Sequence, residues 1–327
     1  MRYGTGVFPR SVAFAVEFAR TVESLGYEKL WITDSHQLYA DPYVTLTACA
    51  AATDDVALSP GVTNATTRHE TVTADAIASV DEVSDGRASL AIGAGDSAVY
   101  SIGKTPVSVA ELRETTDTIQ RLLDGETVDY DGVPFALDLD HGDVPVHVAA
   151  EGPKTLRMAG EVADGVVFGG GTAPEVVENG LDHVARGAER AGRSLDDVHV
   201  TVLAPACVAE SRAAGVGALL DVLEPIAYHN FSFSVEDAPA DLREELRGLV
   251  ERHDMREHGQ AEADPARAVS PEVRDYLGDR FAIAGPAEAC RERVDQLAAR
   301  GVDELFLGFP ATDPLDHARA FAAQVVD

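Results

Sequence analysis

The feature that most constrains this chain is a joint it uses more than once. Leu25-Gly26-Tyr27-Glu28-Lys29-Leu30-Trp31-Ile32 and Arg300-Gly301-Val302-Asp303-Glu304-Leu305-Phe306-Leu307 follow one pattern, and Asp164-Gly165-Val166-Val167-Phe168 is a shortened form of it. In each, a helix is expected to end at a glycine in the left-handed conformation, with an apolar strand following at once. A strand that is apolar on both faces needs cover on both faces, which commits the chain to layered α/β architecture. Strands are expected at 2–8, 28–33, 56–62, 88–93, 146–150, 165–169, 198–206 and 303–308. Helices are expected at 12–25, 42–53, 71–84, 109–124, 154–163 and 174–191. Eight such βα units are what a closed (β/α)8 TIM barrel requires, with an open doubly wound sheet as the alternative.

Local signals sharpen the boundaries. Ser108 and Glu111 have capping-box spacing at the start of the helix that ends before Gly125. Asp131-Gly132 predicts a hairpin within 127–140. Residues 210–280 break the alternation, being acidic, rich in Arg and Glu, and short of apolar faces. They are expected to form a mostly helical insertion between strands 7 and 8 of a single 1–327 domain.

Charge narrows the range of partners. The chain of 327 residues carries 26 Lys plus Arg against 56 Asp plus Glu, a net charge of −30. Such a chain repels phosphate backbones and anionic lipid, so neither nucleic acid nor membrane is the expected partner. Only Lys29, Lys104 and Lys154 are lysines. Long apolar lysine stems are a liability in concentrated salt, so their scarcity and the acidic composition favour a halophilic protein, with an acidic mesophilic one as the alternative. No apolar run approaches the ~18 residues of a membrane span. The first residues lack a signal-peptide pattern, and Cys49, Cys207 and Cys290 suit neither a disulfide framework nor a zinc site, so a reducing cytoplasm is expected and no metal is assigned.

In a barrel, chemistry sits at the C-terminal ends of the strands. The second strand ends in Thr33-Asp34-Ser35-His36, an acid and an imidazole suited either to orienting a ligand and moving a proton or to capping the next helix. The third ends in Pro60-Gly61-Val62-Thr63-Asn64, a sequence that distorts a strand which ought to be continuous. The fourth ends in Gly93-Ala94-Gly95-Asp96, a glycine corner with a carboxylate beyond it. The fifth runs through Glu151 into Gly152-Pro153-Lys154-Thr155, where free helix amides, Lys154 and the Thr155 hydroxyl suit a phosphate. The sixth ends in Gly169-Gly170-Gly171, read as backbone laid open to a ligand. Together these strand ends point to one elongated phosphorylated cofactor, with a small molecule as substrate.

Trp31-Ile32-Thr33-Asp34, Pro60-Gly61-Val62-Thr63-Asn64, Asp81-Glu82-Val83-Ser84-Asp85-Gly86-Arg87-Ala88 and Gly93-Ala94-Gly95-Asp96 resemble the bacterial-luciferase-like superfamily. Glu151-Gly152-Pro153, Ala159-Gly160-Glu161-Val162-Ala163-Asp164-Gly165 and Phe281-Ala282-Ile283-Ala284-Gly285-Pro286 continue the likeness. The branch it most resembles is that of the methylenetetrahydromethanopterin reductases, which use the deazaflavin coenzyme F-420; FMN-dependent monooxygenases are the alternative. The resemblance implies hydride transfer at the ring carbon and a non-prolyl cis peptide at Gly61–Val62, against which the ring would lie. It places the cofactor phosphate near Gly152–Thr155, and implies contacts from Asp34, Thr63, Asn64, Gly95, Glu151, Gly169 and Gly170. A homo-oligomer, dimer or tetramer, is the expected assembly. Two departures stand out: Gly6 occupies the position of that branch's proton-donor glutamate, and Ser35 separates Asp34 from His36. The proton-transfer candidates are therefore His36, Asp96 and Asp34.

Overall fold

A computed structural model describes residues 1–232, 234–253 and 269–326. Its strands are β1 (Arg2–Val7), β2 (Lys29–Ile32), β3 (Ala57–Pro60), β4 (Thr63–Asn64), β5 (Leu90–Gly93), β6 (Val128–Tyr130), β7 (Val133–Phe135), β8 (Val146–Ala150), β9 (Gly165–Phe168), β10 (His199–Val208), β11 (Ile283–Gly285) and β12 (Glu304–Gly308). The main sheet runs β3-β2-β1-β12-β10-β9-β8-β5-β4, parallel at every pairing. Its two end strands are halves of one strand. β3 pairs with β2, from Lys29↔Ala57 to Ile32↔Pro60, whereas β4 pairs with β5 through Thr63↔Ile92 and Asn64↔Gly93. A parallel bridge from Leu58 to Ala88 joins β3 to the start of β5 as well. The sheet therefore closes into an eight-stranded (β/α)8 barrel, and the strand expected at 56–62 is broken at its C-terminal end. The Gly61–Val62 peptide between the halves is cis.

The joints behave as the sequence predicts in two of three cases. Gly26 and Gly301 have φ of 83° and 84°, the left-handed turn that frees the chain from a helix before β2 and β12. Gly165 differs: it lies inside β9, and a Cβ there would stand 2.8 Å from the His199 carbonyl oxygen. It is a close-packing glycine, and the preceding helix Pro153–Val162 ends without a glycine cap. Ser108 and Glu111 form the capping box, and Asp131 and Gly132, both at positive φ, turn the β6–β7 hairpin.

The insertion is helical where it is described, with Arg212–Ala218, Leu220–Phe231, Arg243–Arg252 and Pro271–Phe281. Residues 254–268 of the expected span lie outside the described residues. The expectation of few apolar faces is corrected: Leu219, Leu223, Phe231, Leu246, Val273 and Leu277 are buried together in a second apolar cluster. Small and charged residues such as Ala218, Glu224, Glu245, Arg247, Glu272, Arg274 and Gly278 stand beside them and dilute the helical period. The chain then adds β11, parallel to β10, before the last barrel strand. No described helix is long and apolar enough to cross a membrane.

Inside the barrel, Trp31 and Phe306 stack with ring centroids 4.7 Å apart and planes 5° from parallel. At the N-terminal end beneath them, Trp31 Nε1 donates to Glu304 Oε1 at 3.1 Å, while His199 Nε2 lies 3.2 Å from Glu304 Oε2. Lys29 is buried with Nζ 4.0 Å from the Trp31 ring centroid, and burial pushes its pKa down to about 8 against the pull of Glu304. Toward the other end, Val62, Ala149 and Leu203 pack on this aromatic layer and remain partly exposed. They form an apolar floor to the barrel mouth.

Candidate active site

Asp34 leaves β2 beside the strand break. Its Oδ2 accepts from Thr63 Oγ1 at 2.7 Å and from an Arg68 guanidinium nitrogen at 2.7 Å. Arg68 reaches on to Asp41 Oδ2, also at 2.7 Å, and stands over the Tyr43 ring with 5.0 Å to its centroid. The helix that follows is capped by Asp41, whose carboxylate accepts from the amides of Tyr43 and Val44. Asp34 and Ser35 are thus released from the capping role that the sequence left open to them. Asp34 Oδ1 is buried and has no hydrogen-bond partner. A buried carboxylate oxygen without a donor is uncommon, which makes Asp34 a candidate ligand contact at the barrel mouth.

The residues of the break divide their work. Thr63 spends its hydroxyl on Asp34, and Asn64 Oδ1 accepts from the amides of Thr66 at 3.0 Å and Thr67 at 2.9 Å. Both side chains are buried, so they hold the break and the acid in place. Val62 contributes the floor. Gly61 has a packing reason as well, since a Cβ there would lie 2.8 Å from Trp31 Cβ and about as close to the Phe306 ring. Gly6 makes room for the same ring, its absent Cβ lying 2.5 Å from Phe306 Cε2.

Next to the break, past the end of β5, Gly95 has φ of 113° and turns the chain into Asp96 and the short helix Ser97–Tyr100. The Ser97 hydroxyl meets that of Ser35 at 2.9 Å, tying the end of β5 to that of β2. Gly152 caps helix Pro153–Val162 without any side-chain hydrogen bond, and Pro153 occupies its first turn. Gly152, Pro153 and Lys154 are exposed and Thr155 is half-buried, with open space where a Gly152 Cβ would stand. Gly169 and Gly170 depart from expectation. Both are buried: Glu151 fills the space beside Gly169, and the Phe168 ring fills that beside Gly170. They are glycines because side chains approach them, so the open cradle expected there is replaced by packing.

His36 is exposed and forms no hydrogen bond or ion pair among the described residues. Asp96 has a partner that sequence reasoning missed. His229, near the end of helix Leu220–Phe231, places Nδ1 3.8 Å from Asp96 Oδ2 and Nε2 3.3 Å from Glu151 Oε2. The Glu151 charge, reinforced by Asp96 and opposed by burial, raises the His229 pKa to about 9. Burial works to raise Glu151, yet His229 leaves it below the ordinary carboxyl value. The one sequence signal for this residue was a lone His-Asn pair closing an apolar helix in an otherwise Arg- and Glu-rich stretch.

A closed parallel barrel whose rim carries a broken strand, a buried acid with one oxygen left without a donor and a helix start without a side-chain cap defines a ligand-binding enzyme scaffold. The chain belongs to the luciferase-like monooxygenase family, whose profile matches residues 2–304. It is 30% identical to a 5,10-methylenetetrahydromethanopterin reductase of Methanolobus tindarius, over 95% of this chain and 94% of that one. Among solved structures it resembles a coenzyme F-420-dependent tetrahydromethanopterin reductase of Methanopyrus kandleri, with a TM-score of 0.78 and 22% identity over 99% and 98% of the two chains. An F-420-dependent secondary alcohol dehydrogenase, in complex with an F-420–acetone adduct, superposes with a TM-score of 0.75 at 19% identity, over 99% and 98%. At those identities the two structures speak for the fold.

Proposed function

We propose that this protein is an oxidoreductase that moves a hydride between coenzyme F-420 and a small organic substrate. A methylene-bearing pterin or folate carrier is the first substrate to try, by likeness to the reductases. The observation that carries the reading is Asp34 Oδ1, a buried acceptor for which the protein supplies no donor. A flavin-type ring presents an imide N–H that would satisfy it, and the Val62–Ala149–Leu203 floor offers that ring an apolar bed. Bound there, the reduced coenzyme supplies the hydride. Asp34, steadied by Thr63 and Arg68, would orient the ring system, and Gly61 and Val62 would lie beneath it. The amides at Gly152–Thr155 and the Lys154 ammonium suit the phosphate. Gly95 would shape the turn beside such a ring. The overall likeness to F-420 enzymes favours the deazaflavin over FMN.

The test is anaerobic mixing of protein and reduced F-420 with 5,10-methylenetetrahydromethanopterin, acetone or a sugar lactone. Appearance of the oxidised coenzyme's visible absorbance with one of them supports the proposal. Absence with all three, together with oxygen-dependent turnover of reduced FMN, overturns it. Gly6 cannot donate a proton, so a pterin reaction here needs a donor other than the glutamate of the resembling branch.

The acidic surface and the scarcity of lysine support the further reading that the protein works in a salt-rich cytoplasm, without a nucleic-acid partner. A dimer or tetramer remains the proposed assembly.

A further inference from the structure

The insertion reaches the barrel rim with two consecutive residues. Asn230 Nδ2 donates to the Gly169 carbonyl at 3.1 Å, and His229 stands between Glu151 and Asp96. Those carboxylates leave neighbouring strands, since Ile92 of β5 pairs with Val148 of β8. β5 is also the strand that pairs with the far half of the break, Gly93 opposite Asn64. The imidazole therefore sits over the two strands next to the break, with about a third of its side chain exposed (34%).

We propose that His229 is the acid–base residue of this site, brought in by the insertion, and that Glu151 and Asp96 position it. This rests on the hydride-transfer reading given above. Hydride addition to a carbonyl or neutral imine carbon sends the π pair to oxygen or nitrogen. Hydride displacement at a carbon held between two nitrogens sends a C–N pair to the departing nitrogen. In either case that atom takes a proton from imidazolium Nδ1–H, and the N–H pair stays on the ring, which becomes neutral. Nδ1 is the nitrogen with a proton to give, because Nε2 lies closer to its carboxylate and Nδ1 at 3.8 Å is not hydrogen-bonded to Asp96. Solvent restores the proton through the exposed part of the ring.

The groups facing His229 are Glu151 from the end of β8 and Asp96 from the turn after β5. Tyr100, on the short helix after Asp96, has its phenol raised by burial and then by Tyr228 and Asp96. With carboxylates on both sides, the ring holds its proton to about pH 9. The acid form is complete well below that pH and is lost as pH rises through it, so reduction should fall along an alkaline limb.

The experiment pairs pH–rate profiles, using reduced F-420 with 5,10-methylenetetrahydromethanopterin or acetone, with nitrogen NMR titration of the His229 ring in the same protein. His229→Gln should lower turnover by about 10²-fold below pH 9 and erase the limb. Asp96→Asn should move both the limb and the ring titration to lower pH. A limb that survives in His229→Gln overturns the inference, and so, even without turnover, does a ring titration that Asp96→Asn leaves in place. Absorbance titration with oxidised F-420 separates the two claims: normal binding with an unaltered limb defeats the role of His229 alone. Failure of the wild type to bind defeats the functional reading instead.

Discussion

The Asp34 carboxylate meets the Arg68 guanidinium at 2.7 Å across the strand break, through only one of its two oxygens. The Asp34 side chain is fully buried and Arg68 nearly so, at 16% exposure. Removing Arg68 would strand a buried charge, so Arg68→Ala should destabilise the fold by about 3–5 kcal/mol in denaturant titration. Asp34→Ala is a different perturbation, because Arg68 keeps Asp41. It should leave a folded protein with F-420 affinity lower by about 10- to 100-fold, the worth of one charge-assisted hydrogen bond. An unchanged dissociation constant would remove Asp34 from the site.

Gly95 aims Asp96. Its φ of 113° suits glycine alone, and a Cβ there would collide with Val99. Gly95→Ala should therefore unseat the turn and loosen Asp96 from His229. The measurement is the His229 ring titration, which should move down toward the ordinary imidazole value while the barrel's circular dichroism is retained.

Much of the barrel was legible because its signals are local. Gly26 and Gly301 stop helices, Ser108 with Glu111 starts one, and Asp131-Gly132 turns a hairpin, each within a few residues of sequence. Proline and glycine at 60–61 marked the broken strand for the same reason. Gly165, Gly169 and Gly170 misled, since a glycine imposed by a neighbour's side chain looks in sequence like one imposed by the backbone. His229 was illegible because its partners come from two barrel strands and its helix from an insertion whose apolar period is diluted. Its pairing exists only once all three elements are folded.

The buried network at the other end of the barrel makes a stability prediction. Glu304 is the counter-charge for Lys29 and bonds Trp31 and His199. Glu304→Gln should cost about 3–5 kcal/mol, read as a lowered denaturant midpoint, because it leaves Lys29 buried without compensation. Adding Lys29→Met should recover much of that loss. No recovery would show that Glu304 acts through its hydrogen bonds alone.

A net charge of −30 makes stability depend on ionic strength. Screening shortens from roughly 10 Å at 0.1 M salt to about 3 Å at 1 M, so Tm should rise steeply between dilute buffer and molar potassium chloride. A flat Tm would contradict the halophilic reading.

Whether the rim beside Gly61–Val62 holds a deazaflavin is decided by equilibrium titration with oxidised F-420 and with FMN, followed by the absorbance of each. The expected result is saturable one-to-one binding of F-420, weaker binding of FMN, and F-420 affinity lower by about 10- to 100-fold in Asp34→Ala. Tight FMN binding with no response to F-420 would contradict it.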